Sequence, residues 1–585
     1  MTVCVTRPIT IAIGNPSAGT VAFMQGNRRG FTALAIVLAL LAALPVAAII
    51  ARGATLGAGA TWSHLVSTVL PDYVLNTVSL VLLVGGGVGI GGTAAGWLVA
   101  RHRFPGSTAF GWALLLPLAM PSYVMAYAYT DFLQYAGPLQ SAIRHAFGWS
   151  RADYWFPDVR SLPGAAVMFI FVLYPYVFLL ARTAFLERPP ALIEAARTLG
   201  LDSRAAFWRV ELPLARPAIA GGIALALMET LADYGTVAYF AVDTFTTGMY
   251  RAWFALGDRT AAAQLAVMLL VFVIGAIALE RSSRGAARTT GGARGRNVVR
   301  QAPEPLTGIR ALGATTFCAI PLLAGFVLPV LLLLRLLVGE PSIAWSMRFP
   351  EWAWNSLRVA ALASVIAVII AAMVTYAMRL APGRLTQAST RLLTLGYAVP
   401  GTVLAIGVLL PLGALDNLFA RWLHDLTGRP MSLLLTGTLV ALLYAYVVRY
   451  FAVAWHAIEP GFARITPAMD AAARSLGAGA WTTMLRVHAP LLTRSGAAAL
   501  LLVFVDVMKE LPATLVLRPF NFDTLATQTY LLAKDERLAE AALPSLAIVV
   551  VGIVPIVILA RMARRGTGVP AVRGADLPGR VELSV

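Results

Sequence analysis

Four carboxylates stand in stretches too apolar to hold them without reason. Glu229 and Asp233 lie at i, i+4 in METLADYG, and Asp506 and Glu510 lie at i, i+4 in VDVMKELP with Lys509 between them. That spacing puts each pair on one helix face. An ionisable group inside an apolar span costs about 2.5–3.5 kcal/mol on insertion scales, so each needs an interior purpose. The chemistry open to such acids is to pass or hold a cation, since carboxylate and phenolate oxygens suit hard metal ions. A separate apolar span adds Tyr123, Tyr127 and Tyr129 around Pro121, with Tyr123 and Tyr127 on one face. Plainer readings stay open beside this one. The acids can form interhelical salt bridges, with Lys509 neutralising Asp506 or Glu510, or sit where water reaches them, and the tyrosines can be interfacial anchors. An anionic substrate would want more than one intramembrane base, so the acid lining favours a cation.

No residue pattern reads as a catalyst. A phosphate-binding Walker loop needs Gly-Lys-Ser/Thr, yet the only lysines are Lys509 and Lys534 and neither follows a glycine. The six histidines, at positions 64, 102, 145, 424, 456 and 488, never approach ligand spacing, and Cys4 and Cys318 are too few and too distant for a disulfide framework. No metal site is assigned, and no nucleophile–base–acid arrangement stands out. The expectation is a non-enzyme that binds no cofactor of its own.

The elements that must carry these residues are membrane helices. The chain has 585 residues, 59% hydrophobic and 13% charged, with a mean hydropathy of +0.76. The net charge of +18 comes from arginines dispersed between apolar runs of about 20 residues, the pattern of a polytopic membrane protein and not of a nucleic-acid binder. Spans are predicted near 31–50, 74–99, 109–130, 164–181, 217–240 and 262–280, then 313–338, 355–378, 391–414, 432–454, 495–517 and 542–560. The first run is of full spanning length, which favours an uncleaved helix over a signal peptide. The fold class is therefore an all-α polytopic membrane protein of about twelve transmembrane helices. Its divisions are a segment 1–30, a first half 31–280 (core about 72–280), a basic Gly-rich linker 281–311, a second half 312–561 (core about 353–560) and a tail 562–585. With both termini inside, about two thirds of the basic residues fall on the cytoplasmic side. Arg281, Arg284, Arg288, Arg294, Arg296, Arg300 and Arg310 crowd the linker.

The two halves repeat. EAARTLGLDSRAAFWRVELP, from Glu194 to Pro213, returns 277 positions later as AAARSLGAGAWTTMLRVHAP, from Ala471 to Pro490. Leu192, Ala195, Ala196 and Leu199 fall at i, i+3, i+4, i+7, as do Met469, Ala472, Ala473 and Leu476. Each copy is thus a short amphipathic helix, ended by a glycine, Gly200 or Gly477, that tolerates a left-handed turn. Asn76-Thr77 matches Asn355-Ser356, Pro105-Gly106 matches Pro382-Gly383, and Met120-Pro121 matches Val399-Pro400. The same shift aligns Glu229 with Asp506 and Asp233 with Glu510.

Both loop stretches resemble the EAA loop of permease subunits of ATP-binding-cassette importers. The first matches through Glu194, Ala195, Ala196 and Gly200. The second keeps Ala472 and Gly477 but has Ala471 where the acid belongs, with Asp470 one place earlier. The resemblance implies two fused six-helix permease halves of type I, and loops that dock on a dimer of nucleotide-binding subunits where ATP is hydrolysed. ADYGTVAYFAVDTFTTGMYRAWF (232–254) and KELPATLVLRPFNFDTLAT (509–527) narrow it to ferric-iron permeases served by a periplasmic binding protein in the bacterial inner membrane. Permeases for polyamine, thiamine or phosphonate share the architecture. A twelve-helix secondary transporter would also repeat in parallel, but has no reason to keep an EAA loop in each half.

Overall fold

The computed structural model describes residues 18–54, 60–187, 190–285, 303–339, 347–428 and 433–566. Much of the basic linker, including Arg288, Arg294, Arg296 and Arg300, lies outside these, as do 1–17 and 567–585. Among the described residues ten helices are long and apolar enough to cross a bilayer, and two bent pairs bring the number to twelve if each pair is one span. The first helix, Ala18–Gly53, begins inside the segment 1–30, before the predicted span 31–50.

Four predicted spans are not continuous. The 109–130 span turns by 89° between Ser107–Ala119 and Ser122–Phe147, where Pro121 withholds its N–H and imposes an extended backbone. The 217–240 span stops at Ala232 and restarts as the short helix Gly235–Tyr239. In the second half, Thr493–Met508 stops and Pro512–Leu517 restarts, while Pro400 opens the helix Gly401–Thr427 inside what reads as one apolar run. Apolarity sets which residues enter the membrane; proline and acid placement decides where the helices break.

Each half ties its broken end to its own second helix. Asn76 Nδ2 donates to the Asp243 carbonyl at 2.8 Å, and Asn355 Nδ2 donates to the Asp523 carbonyl at 3.1 Å. Reciprocal Thr244–Thr247 and Thr524–Thr527 capping boxes follow these points. This is what the repeated Asn-Thr and Asn-Ser pairs are for.

The first helix of each half crosses to the other half. Ala18–Gly53 packs on Gly401–Thr427, where a Cβ at Gly407 would stand 2.6 Å from the Pro45 carbonyl oxygen. Phe31 meets Tyr376 edge-on, with ring centroids 5.3 Å apart. Reciprocally, a Cβ at Gly325, in the first span of the second half, would stand 2.6 Å from the Phe171 carbonyl oxygen. Such small-residue contacts let backbones approach where lipid gives no hydrophobic drive for association. The strand His102–Arg103 pairs in parallel with Glu304–Pro305, fixing the far end of the linker beside the first half.

Candidate functional site

The four intramembrane acids converge. A cavity of about 110 Å³ between the halves is lined by Glu229, Asp233, Asp506 and Glu510, together with Tyr123, Tyr176, Tyr397, Lys509 and Arg449. The helix breaks create it, because each break brings a short-helix N-terminus and its cap to the interface.

Within each pair the two acids do different work. Asp233 Oδ1 accepts from the backbone N–H of Thr236 at 2.8 Å and of Val237 at 3.3 Å, and its Oδ2 accepts from Ser122 Oγ at 2.7 Å. Glu510 Oε1 accepts from Ala513 N at 2.9 Å, and Oε2 accepts from Thr514 N at 3.0 Å and Thr514 Oγ1 at 2.6 Å. Both satisfy the orphan donors of a restarted helix, at 277-shifted positions. Glu229 and Asp506 instead engage side chains: Tyr397 donates to Glu229 Oε1 at 2.9 Å across the half–half interface, and Lys509 Nζ sits 3.0 Å from Asp506 Oδ1.

The tyrosines divide. All three are buried, with exposures of 5% for Tyr123, 0% for Tyr127 and 7% for Tyr129, so none is an interfacial anchor. Tyr123 lines the cavity. Tyr127 does not, which corrects its placement in the substrate path: its hydroxyl is bonded to Ser545 and the Ala541 carbonyl of the last helix. Tyr129 donates to the Ala324 carbonyl at 2.6 Å. Both stitch the halves together.

Arg449 is the lining residue that the sequence reading missed. It stands alone among apolar residues in LYAYVVRYF, within the helix Leu439–Ala463, and the rule that flagged the acids applies to it equally. With Lys509 it gives the cavity two bases, so the preference for a cation loses the ground it stood on. Tyr176 and Tyr397 carried no signal distinct from other membrane aromatics.

The loop helices lie apart from the cavity, at Pro190–Thr198 and Pro467–Ser475. Gly200 has φ +84° and Gly477 φ +78°, the left-handed turns the glycines were expected to supply. Apolar side chains that follow the helices face outward: Leu199 is 82% exposed and Leu476 87%. Glu194, Ala195, Ala471 and Ala472 are exposed, while Ala196 is buried.

Asp470 does not take the place of Glu194. It faces inward, 2.7 Å from Arg379 Nε and 2.6 Å from His488 Nε2. Burial alone would raise its carboxyl, but the bonds from Arg379 and His488 outweigh this and hold it below the ordinary carboxylate range. The first half solves the same problem with another acid: Arg101 Nη2 meets Glu211 Oε1 at 3.0 Å, and Trp97 Nε1 donates to Glu211 Oε2 at 3.1 Å. Glu211 and His488 end matching π-helical turns, Phe207–Glu211 and Met484–His488. Where histidine replaces the acid of this anchor, Asp470 supplies it from the loop helix. Asp470→Ala is therefore expected to lower the thermal midpoint of the detergent-solubilised protein. It removes the half-buried carboxylate that joins Arg379 to His488, a loss of about 1 kcal/mol or more, although Arg379 keeps the Phe462 and Ile465 carbonyls. Glu194→Ala should leave the midpoint in place. A thermal scan of both variants checks this, and equal midpoints would contradict the anchoring role.

Residues 87–282 match the family described as binding-protein-dependent transport system inner membrane component. The chain is 25% identical over 537 residues to the Fe(3+)-transport system permease protein FbpB 2 of Haemophilus influenzae, covering 91% of this chain and 98% of the relative. It is 24% identical to the ferric transport system permease protein FbpB of Actinobacillus pleuropneumoniae, over 79% of this chain and 67% of that one. A probable sulfate transport system permease protein cysT of Chlorokybus atmophyticus is 34% identical, over 26% of this chain and 51% of its own.

Proposed function

We infer that this chain, a binding-protein-dependent transport membrane domain in its first half and a repeat of that domain in its second, is the permease subunit of an ATP-binding-cassette importer for ferric iron. The observation that carries the iron reading is coverage: the ferric-transport relative from Haemophilus parallels the chain almost end to end, while the sulfate relative matches about a quarter of it. In this reading the protein lies in a bacterial inner membrane with both termini and both loop helices on the cytoplasmic side, where the basic residues concentrate. A loaded binding protein docks on the periplasmic face. ATP is bound and hydrolysed by a separate nucleotide-binding dimer, and this chain binds no cofactor.

The exposed leucines beside the loop helices support docking there, because contiguous apolar surface outside the membrane marks an interaction site. Closure of the partner dimer draws the two loops together. Arg101–Glu211 and Arg379–Asp470 transmit that motion to the ends of Leu70–Arg101 and Phe349–Leu380, and the cavity then opens alternately to the two sides. ATP binding drives this only to the extent that the partner binds one arrangement of the loops better than the other. Among the described residues no three acids, histidines or cysteines come together as a metal-ligand set. In this reading the ion passes along carboxylate and phenol oxygens by successive weak contacts.

The test is ATP hydrolysis in proteoliposomes holding this chain with its nucleotide-binding subunit. Stimulation by a ferric-loaded binding protein, and not by the empty one, is the expected result. Stimulation only by a binding protein loaded with polyamine, thiamine, phosphonate or sulfate would discard iron and keep the permease. No assembly with a nucleotide-binding subunit would leave a secondary transporter.

A further inference from the structure

Each cavity acid has a partner. Glu229 has Tyr397, Asp506 has Lys509, and Asp233 and Glu510 cap restarted helices. Among the lining charges, the group with idle donors is a cation. Arg449 is 6% exposed, and its Nε and Nη1 are buried without a hydrogen-bond partner. Its guanidinium carbon lies 5.8 Å from the centroid of the neighbouring Tyr450 ring, and the charges of Glu229 and Glu510 act on it without a hydrogen bond. A buried guanidinium with idle donors is costly unless something anionic answers it.

Its surroundings are built for that. A Cβ at Gly401 would lie 2.7 Å from Arg449 Nη1 and 2.9 Å from Glu510 Oε1, so the guanidinium stands at the N-terminus of Gly401–Thr427. That 27-residue helix starts behind Pro400 with no side-chain cap, and its free N–H groups favour negative charge. Tyr123, on the same cavity wall, also has a buried hydroxyl without a partner. Glu510 is the acid beside Gly401, and its two oxygens are already engaged by Ala513 and Thr514, while Glu229, the other acid whose charge reaches Arg449, accepts from Tyr397.

We propose that Arg449, with the N-terminus of Gly401–Thr427 and the Tyr123 hydroxyl, forms an oxyanion site in the transport cavity. It rests on the reading of that cavity as the cargo path. The planar fork of arginine matches phosphate, sulfate or carboxylate geometry. The anion is either a companion that shields a hard metal cation past the basic residues or the cargo itself.

The test uses the full-length chain in lipid nanodiscs and measures equilibrium binding of radiolabelled inorganic phosphate and sulfate. Saturable binding of at least one anion is expected, weakened about tenfold or more in Arg449→Gln and less in Arg449→Lys. Absence of saturable binding to the wild-type protein, or unchanged binding in Arg449→Gln, overturns the proposal, and the wild-type arm does not depend on the variants folding. A second arm follows radioactive ferric iron and labelled anion into proteoliposomes carrying the complete transporter. Iron uptake that requires the anion identifies a companion. Anion uptake without iron identifies the anion as cargo, which keeps the Arg449 site and removes the iron reading.

Discussion

Gly200→Pro or Gly477→Pro is expected to abolish stimulated ATP hydrolysis while the protein still inserts and purifies as a monodisperse species. Both glycines hold φ near +80°, and proline is fixed near −65°. The two conformations do not overlap, so the loop must refold, at a cost of about 3 kcal/mol or more. A Cβ at either position meets open space. Gly200→Ala and Gly477→Ala therefore feel only the left-handed backbone, about 1–2 kcal/mol, and should lower stimulation without abolishing it. The order glycine above alanine above proline, read as ATP turnover in proteoliposomes, ties the effect to backbone conformation. Wild-type turnover in both proline variants would remove these loops from the coupling mechanism.

Asp506→Asn is expected to cut transport by about a hundredfold or more, and the informative experiment is its attempted rescue. Alone it takes from the half-buried Lys509 ammonium its nearest counter-ion, which lowers stability by about 1 kcal/mol or more. Adding Lys509→Met removes the stranded charge and should return the thermal midpoint toward wild type. Transport should stay low in the double variant, because Asp506 and Glu229 are the two cavity acids not spent on capping helices. Recovered uptake of labelled cargo would mean that Asp506 serves charge balance alone. Glu229→Gln keeps an oxygen for the Tyr397 hydroxyl, so its effect on transport should not be matched by a loss of stability.

The pairs 229/233 and 506/510 were legible because charge in an apolar run is expensive wherever it stands, and because the 277-residue shift aligned them. Their division of labour was not legible. Which acid caps and which faces the cavity depends on where the helix stops, and helical periodicity carries through Ala232 without a mark. Arg449 obeyed the same rule as the acids and was open to the same reading; it lacked only a repeated counterpart to draw attention. Asp470 misled for a different reason. One place from the expected acid, it reads as a shifted docking residue, and only the packing of Arg379 and His488 reveals that it points inward. Tyr127 was put in the path on the strength of a shared face with Tyr123, but one turn of helix carries it from the cavity to the last span.

The exchange of first helices bears on how the molecule is made. While the first half is being synthesised, Ala18–Gly53 can rest on Arg259–Gly285, where a Cβ at Gly53 would stand 2.8 Å from Val267, but the part of its groove made by Gly407 and Tyr376 emerges later. Until then that part of its face stays open to lipid. Residues 308–339 arrive to the reverse situation, with Phe171 and Pro117 already in place to receive Gly325. Assembly is therefore sequential, and it draws this early helix onto segments made much later. Two separately translated halves would each carry the piece the other lacks, which gives them a physical reason to find one another in the membrane.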